Sequence, residues 1–308
     1  MKKQKISIVE VSPRDGLQNE KQVLSPKDRT ALILRSAQAG AKRIEAVSFV
    51  NPKRVPQMAD AEDVMQLSRA AMATHGLTPN LIGLALNGRG VQRAIACGVD
   101  EINCVVVASE TFSQRNQNMS SAETLDQMEQ LSGAIKDAGI PFSMTIATSF
   151  GCPFEGEIDP EHVANLARRS VEMGVFEIAL ADTIGAASPY DVTHRLGLAM
   201  KAAPNVQWRC HFHNTRNTGL ANAVAAIQSG VYVLDASIGG IGGCPFAPAA
   251  TGNIPTEDLS YMLRRMGHDT GLDMEEMRGT AKWLGEKLGN VPAGMLWKSG
   301  DFPPIKEA

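Results

Sequence analysis

The sequence predicts a closed barrel of eight parallel strands, each followed by a helix, with a short helical extension at the C-terminus. Three observations carry that expectation. Eight short runs rich in Val and Ile alternate with longer amphipathic segments along the 308 residues. Most of the runs are apolar on both faces, as strands covered on both sides must be. No glycine-rich dinucleotide turn follows the first run, which argues against an open doubly wound sheet built from the same alternation.

The eight runs are residues 6–12, 43–49, 81–86, 101–108, 142–150, 177–182, 206–213 and 231–238. Helices are expected over 26–39, 57–73, 120–138, 160–174, 188–201, 217–229 and 257–268, among others. Ser25-Pro26 and Asp159-Pro160 each put a proline at the first helical position behind a capping side chain. Gly40, Gly98, Gly139, Gly174 and Gly230 fall just past helix ends, where a left-handed residue is wanted. Residues 1–270 are read as the barrel. Residues 271–308, with a helix around Met274–Leu288 and a Pro/Gly-rich tail, are read as an appendage packed on it.

Composition narrows the function. A net charge of −3 without a basic run argues against nucleic acid or an anionic membrane as partner. No apolar stretch reaches the roughly 20 residues of a membrane span. The start, M-K-K-Q-K, runs into I-S-I-V-E-V without the apolar core of a signal peptide. Five cysteines, Cys97, Cys104, Cys152, Cys210 and Cys244, are odd in number and irregular in spacing, which suits a reducing compartment. A cytoplasmic protein is expected.

In such barrels chemistry gathers at the carboxyl ends of the strands. Arg14 and Asp15 leave strand 1 in S-P-R-D-G, where a surface ion pair in a loop is the plain alternative. Glu45 lies inside the apolar run R-I-E-A-V-S-F and needs a cation nearby, because a buried unpaired carboxylate is costly. Asp182 ends strand 6; Ser188 is the better cap for the next helix, so Asp182 remains free for the site. His211 and His213 are two apart on strand 7, so both imidazoles project to one face, half of a metal site. After strand 8, four glycines surround Cys244, and Asn253 follows with an amide oxygen. Cys152 and Glu155, leaving strand 5, are ambiguous between loop structure and substrate contact. Asp15, His211, His213 and Asn253 together form a mixed nitrogen and oxygen set. That set suits Mg²⁺ or Mn²⁺, with Zn²⁺ less favoured.

Six motifs occur in order over residues 5–267: S-P-R-D-G-L-Q-N-E-K, S-F-V-N-P-K-R-V-P-Q-M-A-D, G-C-P-F-E-G, D-T-I-G, H-x-H and G-G-C-P-F-A-P-A-A-T-G-N. Together they resemble the 3-hydroxy-3-methylglutaryl-CoA lyase family. The resemblance implies a divalent metal held by Asp15, His211, His213 and Asn253. It implies Arg14 as catalytic arginine, Glu45 and Asp182 as essential acids, and Cys244 as the catalytic-loop cysteine. It also implies an acyl-CoA thioester as substrate, with hydroxymethylglutaryl-CoA cleaved to acetyl-CoA and acetoacetate, and a homo-oligomer.

One stretch departs from the family pattern. Where the family reads H-D-T-Y-G, this chain reads H-N-T-R-N at 213–217. Asn214 and Arg216 therefore enter as candidate specificity residues, Arg216 as a fixed charge for a carboxylate or phosphate. In the mechanism this implies, Asp15 or His211 removes the substrate hydroxyl proton and Arg14 stabilises the enolate. Cys244 then returns a proton to carbon, while Glu45 and Asp182 hold Arg14 and the ligands in orientation. The rivals are an acetyl-CoA-dependent condensing enzyme of the same superfamily and a non-catalytic paralogue that binds acyl-CoA or metal.

Overall fold

The structure is a computed structural model that describes residues 4–244 and 247–302; the side chains of Cys244 and of residues 247–251 lie outside that description. Eight parallel strands close into a barrel: β1 (Ser7–Glu10), β2 (Arg43–Ser48), β3 (Asn80–Ala85), β4 (Glu101–Val107), β5 (Phe142–Ala147), β6 (Glu177–Asp182), β7 (Gln207–Phe212) and β8 (Val233–Ala236). The closing pair, β1 against β8, runs from Ser7 opposite Val233 to Glu10 opposite Ala236. The eight-stranded barrel expected from the alternation is thus what forms.

Around it lie α1 (Pro26–Gln38), α2 (Ala61–Thr74), α3 (Gly88–Cys97), α4 (Glu110–Gln117), α5 (Ser121–Asp137), α6 (Pro160–Glu172), α7 (Pro189–Ala202), α8 (Gly219–Gln228) and α9 (Thr256–Arg265). Two more follow, α10 (Met274–Leu288) and α11 (Leu296–Ser299). Ser25 and Asp159 cap α1 and α6 as expected, each accepting a backbone N–H of the first turn. Ser188 closes a capping box with Asp191 at α7. Helix α10 packs on α1, where the Arg35 guanidinium lies 4.9 Å over the Trp283 ring. Among the described residues no helix is long and apolar enough to cross a membrane.

Three differences from the reading of the sequence have a clear local cause. Strand β1 stops at Glu10, because Ser12–Gly16 turns at once into a single tight π-type turn carrying Pro13. Strand β5 stops at Ala147, because Thr148 takes φ +56° and breaks the extended run. Helix α3 is the third difference; it opens Gly-Arg-Gly, so its propensity signal is weak where it starts.

The barrel lumen is unusually polar. Strand alternation turns Arg43, Glu101, Glu177 and Arg209 inward. Arg43 bridges Glu101 and Glu177 at 2.8 Å each, and Arg209 Nε lies 3.3 Å from Glu177. These charges are buried and mutually paired, as buried charges must be. Valines and Ile82 fill the rest: Val9, Val11 and Val233 form a small apolar cluster with it. The polar column continues upward to the rim.

Candidate active site

The tight turn after β1 aims two charged side chains back over the mouth of the barrel. Gly16 ends that turn; a Cβ there would lie 2.8 Å from Ile241 Cγ1, so a side chain would push the turn off the β8 loop. Arg14 Nε donates to Glu45 Oε2 at 2.7 Å, Arg14 Nη2 makes a second bond to the same oxygen, and Nη1 donates to Asp15 Oδ1 at 2.6 Å. Glu45 is 1% exposed, and its other oxygen accepts from Asn103 Nδ2 at 2.8 Å. The acid inside an apolar strand has therefore found its cation. Burial works against the Arg14 charge, but Glu45 and Asp15 outweigh it and raise its pKa above the ordinary value.

Opposite stand His211 on β7 and His213 just past its end, their rings 5.1 Å apart. Asp15 Oδ2 lies 3.8 Å from the Nε2 of both His211 and His213. Burial pushes the Asp15 carboxyl up, yet the Arg14 charge and the two imidazoles overcome this and hold it well below the usual range. Asn253 sits beside His213 through an isolated β-bridge and places its amide nitrogen 2.9 Å from Asp15 Oδ2 and 3.0 Å from the Ile241 carbonyl. The segment carrying Asn253 crosses the glycine loop so tightly that a Cβ on Gly252 would lie 2.0 Å from the Gly240 carbonyl oxygen.

Asp15, His211 and His213 offer three ligand atoms within 4.8 Å of one another. Separations of 3.8 Å are too long for hydrogen bonds but fit two ligands of one cation, each about 2.1 Å from it. The residues present therefore fit a divalent metal. Asn253 completes the set only if its amide presents oxygen inward; as placed, its nitrogen faces Asp15.

Reading the sequence missed the support beneath this cluster. Asp235 of β8 is paired with His211 in the sheet register and accepts from its Nδ1 at 3.2 Å. Burial raises the Asp235 pKa, but Arg209, 3.6 Å away, and His211 lower it further, so the acid stays ionised. An ionised Asp235 favours a proton on His211 Nδ1, and Nε2 is the ring nitrogen turned toward Asp15. Asn103 and Thr145 continue the chain: Thr145 Oγ1 donates to Asn103 Oδ1 at 3.0 Å, and Arg209 Nη2 reaches Thr145 at 3.4 Å. Arg14 and His211 are thus joined by a ring of polar contacts around the lumen. The signal was present, since V-L-D-A on β8 buries an acid as R-I-E-A does on β2. Asp235→Asn is expected to weaken Mn²⁺ binding about 10–100-fold with the fold intact; an unchanged affinity in a Mn²⁺ titration removes Asp235 from the orientation of His211.

Other candidates lie differently from the reading. Asp182 is fully buried but accepts from the backbone N–H of Ala186 and Ala187, and its described hydrogen bonds go to that turn rather than to Arg14. Burial raises its pKa, partly offset by those N–H groups and the nearby histidines. Asn214 Oδ1 accepts from Gly219 N at the start of α8. Arg216 donates to the carbonyls of Ile184 and Gly185, so its charge is turned onto the β6 loop. Neither borders the central cavity. Cys152 is buried against Ser109 Oγ, and Glu155 accepts from Thr111 N, which makes both parts of the loop framework. Cys244 ends β9 (Gly243–Cys244), which pairs with β10 (Ala247–Thr251), but its side chain lies outside the described residues. Asn19 Nδ2 ties this hairpin to the β1 turn through the Gly243 carbonyl at 2.6 Å.

Arg14, Asp15, His211 and His213 share one cavity of about 150 Å³ with Gln18, Asn19 and an apolar wall of Val50, Leu84, Leu86, Val105 and Phe112. A closed parallel barrel with a paired arginine and three side chains that could hold a cation at the carboxyl ends of its strands defines a (β/α)8 barrel with a candidate metal centre.

Comparison with known proteins narrows the class. Residues 5–284 match the family described as HMGL-like. The chain is 41% identical over 305 residues to (R)-citramalyl-CoA lyase of Chloroflexus aurantiacus, covering 97% of this chain and 96% of that one. It is 40% identical to the mitochondrial hydroxymethylglutaryl-CoA lyase of Gallus gallus, covering 91% and 93%. The solved hydroxymethylglutaryl-CoA lyase of Bacillus subtilis superposes with a TM-score of 0.90 at 37% identity, over 96% of this chain and 98% of that one. A second such lyase, from Acinetobacter baumannii in complex with coenzyme A and 3-methylmalate, gives 0.91 at 35%, over 99% and 98%. The chain belongs to the HMGL-like family and is a carbon–carbon lyase.

Proposed function

We propose that the protein cleaves the C2–C3 bond of a 3-hydroxyacyl-CoA thioester bearing a distal carboxylate, with 3-hydroxy-3-methylglutaryl-CoA as the first candidate and acetyl-CoA and acetoacetate as products. The observation that carries this is the placement of Arg14 beside the Asp15–His211–His213 triad in one small cavity. A divalent cation held by the triad, Mg²⁺ or Mn²⁺ before Zn²⁺ and with Asn253 as a further ligand, supplies Lewis-acid polarisation of the substrate's hydroxyl and carboxylate oxygens.

The rest of the chemistry falls to side chains. Asp15 Oδ2 and His211 Nε2, 3.8 Å apart, form the pair that takes the hydroxyl proton. As C3 becomes a ketone, the electrons of the broken bond pass to C2 and the thioester oxygen. Arg14, locked by Glu45 and Asp15, presents a fixed charge to that oxygen without reorganising. Cys244, on the hairpin over the cavity that Gly243 borders, returns a proton to C2 and completes the thioester product. Asp182 shapes the turn after β6, which Arg216 of the loop following His213 meets at the Ile184 and Gly185 carbonyls. Asn214 and Arg216 tune specificity at one remove, through the α8 start and the β6 loop.

A second reading is supported by the relative that is 41% identical over 97% of the chain. Citramalyl-CoA is one methylene shorter and would release pyruvate with acetyl-CoA by the same steps. A coupled assay with both thioesters, with and without EDTA, separates the readings. The expected result is acetyl-CoA release that EDTA abolishes and Mn²⁺ restores, with the greater kcat/KM on hydroxymethylglutaryl-CoA. A ratio reversed in favour of citramalyl-CoA assigns the shorter substrate. No acetyl-CoA from either would sink the lyase assignment on these thioesters. A cytoplasmic location fits Cys97, Cys104, Cys152 and Cys210, all unpaired; a homo-oligomer remains part of the proposal.

A further inference from the structure

The loop after β8 leaves the barrel at Ser237 and joins α9 at Thr256, carrying Cys244 and Asn253 between those points. Its two arms meet at a neck, where Ser237 N donates to the Ile254 carbonyl and Thr256 N to the Ser237 carbonyl, each at 3.1 Å. Two buried carboxylates tighten this neck. Glu10, the last residue of β1, accepts from Ile238 N at 3.0 Å on the outgoing arm and from Thr256 Oγ1 at 2.7 Å on the returning arm. The oxygen that takes Ile238 also takes Ser12 N at 2.9 Å, so the turn that aims Arg14 and Asp15 hangs from the same group. Glu257, in the first turn of α9, reaches back to accept from Gly239 N at 3.0 Å. Successive N–H groups of the outgoing arm therefore end on two different acids.

Burying such acids is unfavourable unless they are well partnered. Both are fully buried, and among the described residues neither forms an ion pair. Glu257 Oε1 is buried and accepts no hydrogen bond. It is sealed from outside, since a Cβ on Gly294 would lie 2.4 Å from it. The segment bearing Gly294 is itself tied to the neck. Gly294 N donates to the Gly239 carbonyl at 3.1 Å, and Asp258 accepts from Met295 N and Leu296 N at the start of α11. The charged groups facing Glu257 are Glu10 from β1 and Asp258 from its own helix; the neck and the C-terminal segment meet it with glycines. Burial, helped by Asp258 and Glu10, outweighs the Gly239 N–H and pushes its pKa up to about 8.

We propose that Glu257 is a positioning residue for the reaction: by closing the neck at Gly239 it fixes the path of the loop that presents Cys244 and Asn253. The inference rests on the lyase reading above and adds what holds that loop in place. Gly239 has φ +71° and Gly240 φ +67°, so the arm turns sharply where Glu257 grips it, and a change of angle there is magnified along the loop. Glu257 closes the neck as a neutral acid. Because its folded-state pKa lies above the ordinary 4.5, that contribution is complete below about pH 4.5 and is lost as pH rises through about 8.

The test compares Glu257→Gln, which keeps an acceptor for Gly239 without a titrating proton, with Glu257→Leu, which removes the acceptor. In Glu257→Leu, kcat on the CoA thioester should fall about 10²-fold with KM within about threefold, the scale of a small misplacement of a reacting group. Amide exchange at Ile238–Gly240, corrected for its intrinsic pH dependence, should speed up while exchange in β2 to β6 stays unchanged. Glu257→Gln should restore kcat at about pH 7 and keep it at about pH 9, where the unaltered protein loses both activity and protection at the neck. Unchanged kcat or unchanged neck exchange in Glu257→Leu overturns the proposal, as does faster exchange spread over the whole barrel. So does an equal loss of kcat in Glu257→Gln, or an alkaline limb that matches the unaltered protein. The Glu257→Gln comparison decides the matter even where Glu257→Leu does not fold. Should no CoA thioester be cleaved, the lyase reading fails alone, and neck exchange still decides whether Glu257 holds the loop.

Discussion

Arg14→Met is expected to lower kcat by about 10³-fold while bound cation is retained, the scale seen when one preorganised donor to a developing oxyanion is removed. Three features of Arg14 support so large an effect. Arg14 is 9% exposed, so its charge acts in a poorly solvated cavity. Glu45 holds two of its nitrogens and Asp15 the third, which fixes its direction before substrate arrives. Its neighbours also raise its pKa, so it stays charged throughout the working range. The substitution has a second consequence, because Glu45 would be left buried without its cation, a change that typically costs about 3–5 kcal/mol. Melting temperature is therefore expected to fall along with activity. Circular dichroism of the variant at the assay temperature separates lost folding from lost chemistry. A near-normal turnover number would remove Arg14 from the reaction.

His213→Ala is expected to remove both tight cation binding and activity. The residue is 3% exposed and its Nε2 lies 3.8 Å from Asp15, so its loss leaves two of three donors around the same point. The drop in affinity should exceed the roughly 10–100-fold caused by removing an outer partner such as Asp235. Activity measured against rising Mn²⁺ should stay near background at concentrations that saturate the unaltered protein. Recovery of full kcat at those concentrations would show that His213 is not needed to hold the ion.

The barrel was legible because its evidence is repeated: eight apolar runs alternate with helices, several of which, α1, α6 and α7 among them, start on ordinary Ser, Asp and Pro signals. The family, too, was legible in motifs spread over the whole barrel, and residues 5–284 match it. What the sequence hid were features whose meaning depends on what lies across the lumen. Asp235 looks like any strand residue until the register sets it against His211. Asn103 and Thr145 carry no motif, yet they join Glu45 to Arg209 through the lumen. Arg216 shows the opposite limit. Its charge beside the second histidine suggested a substrate contact, but direct backbone hydrogen bonds to Ile184 and Gly185 hold it away from the cavity. Asp182 likewise sits at the rim and spends its oxygens on the turn toward α7. Position along the chain locates a rim residue; only packing decides which way it faces.

Equilibrium titration with Mn²⁺, followed by electron paramagnetic resonance, tests most directly whether Asp15, His211 and His213 act as one centre. The unaltered protein should take up one tightly bound ion per chain, with nitrogen hyperfine coupling from two imidazoles. Stoichiometry near zero, or a bound ion without imidazole coupling, would contradict the shared centre on which the proposed cleavage depends.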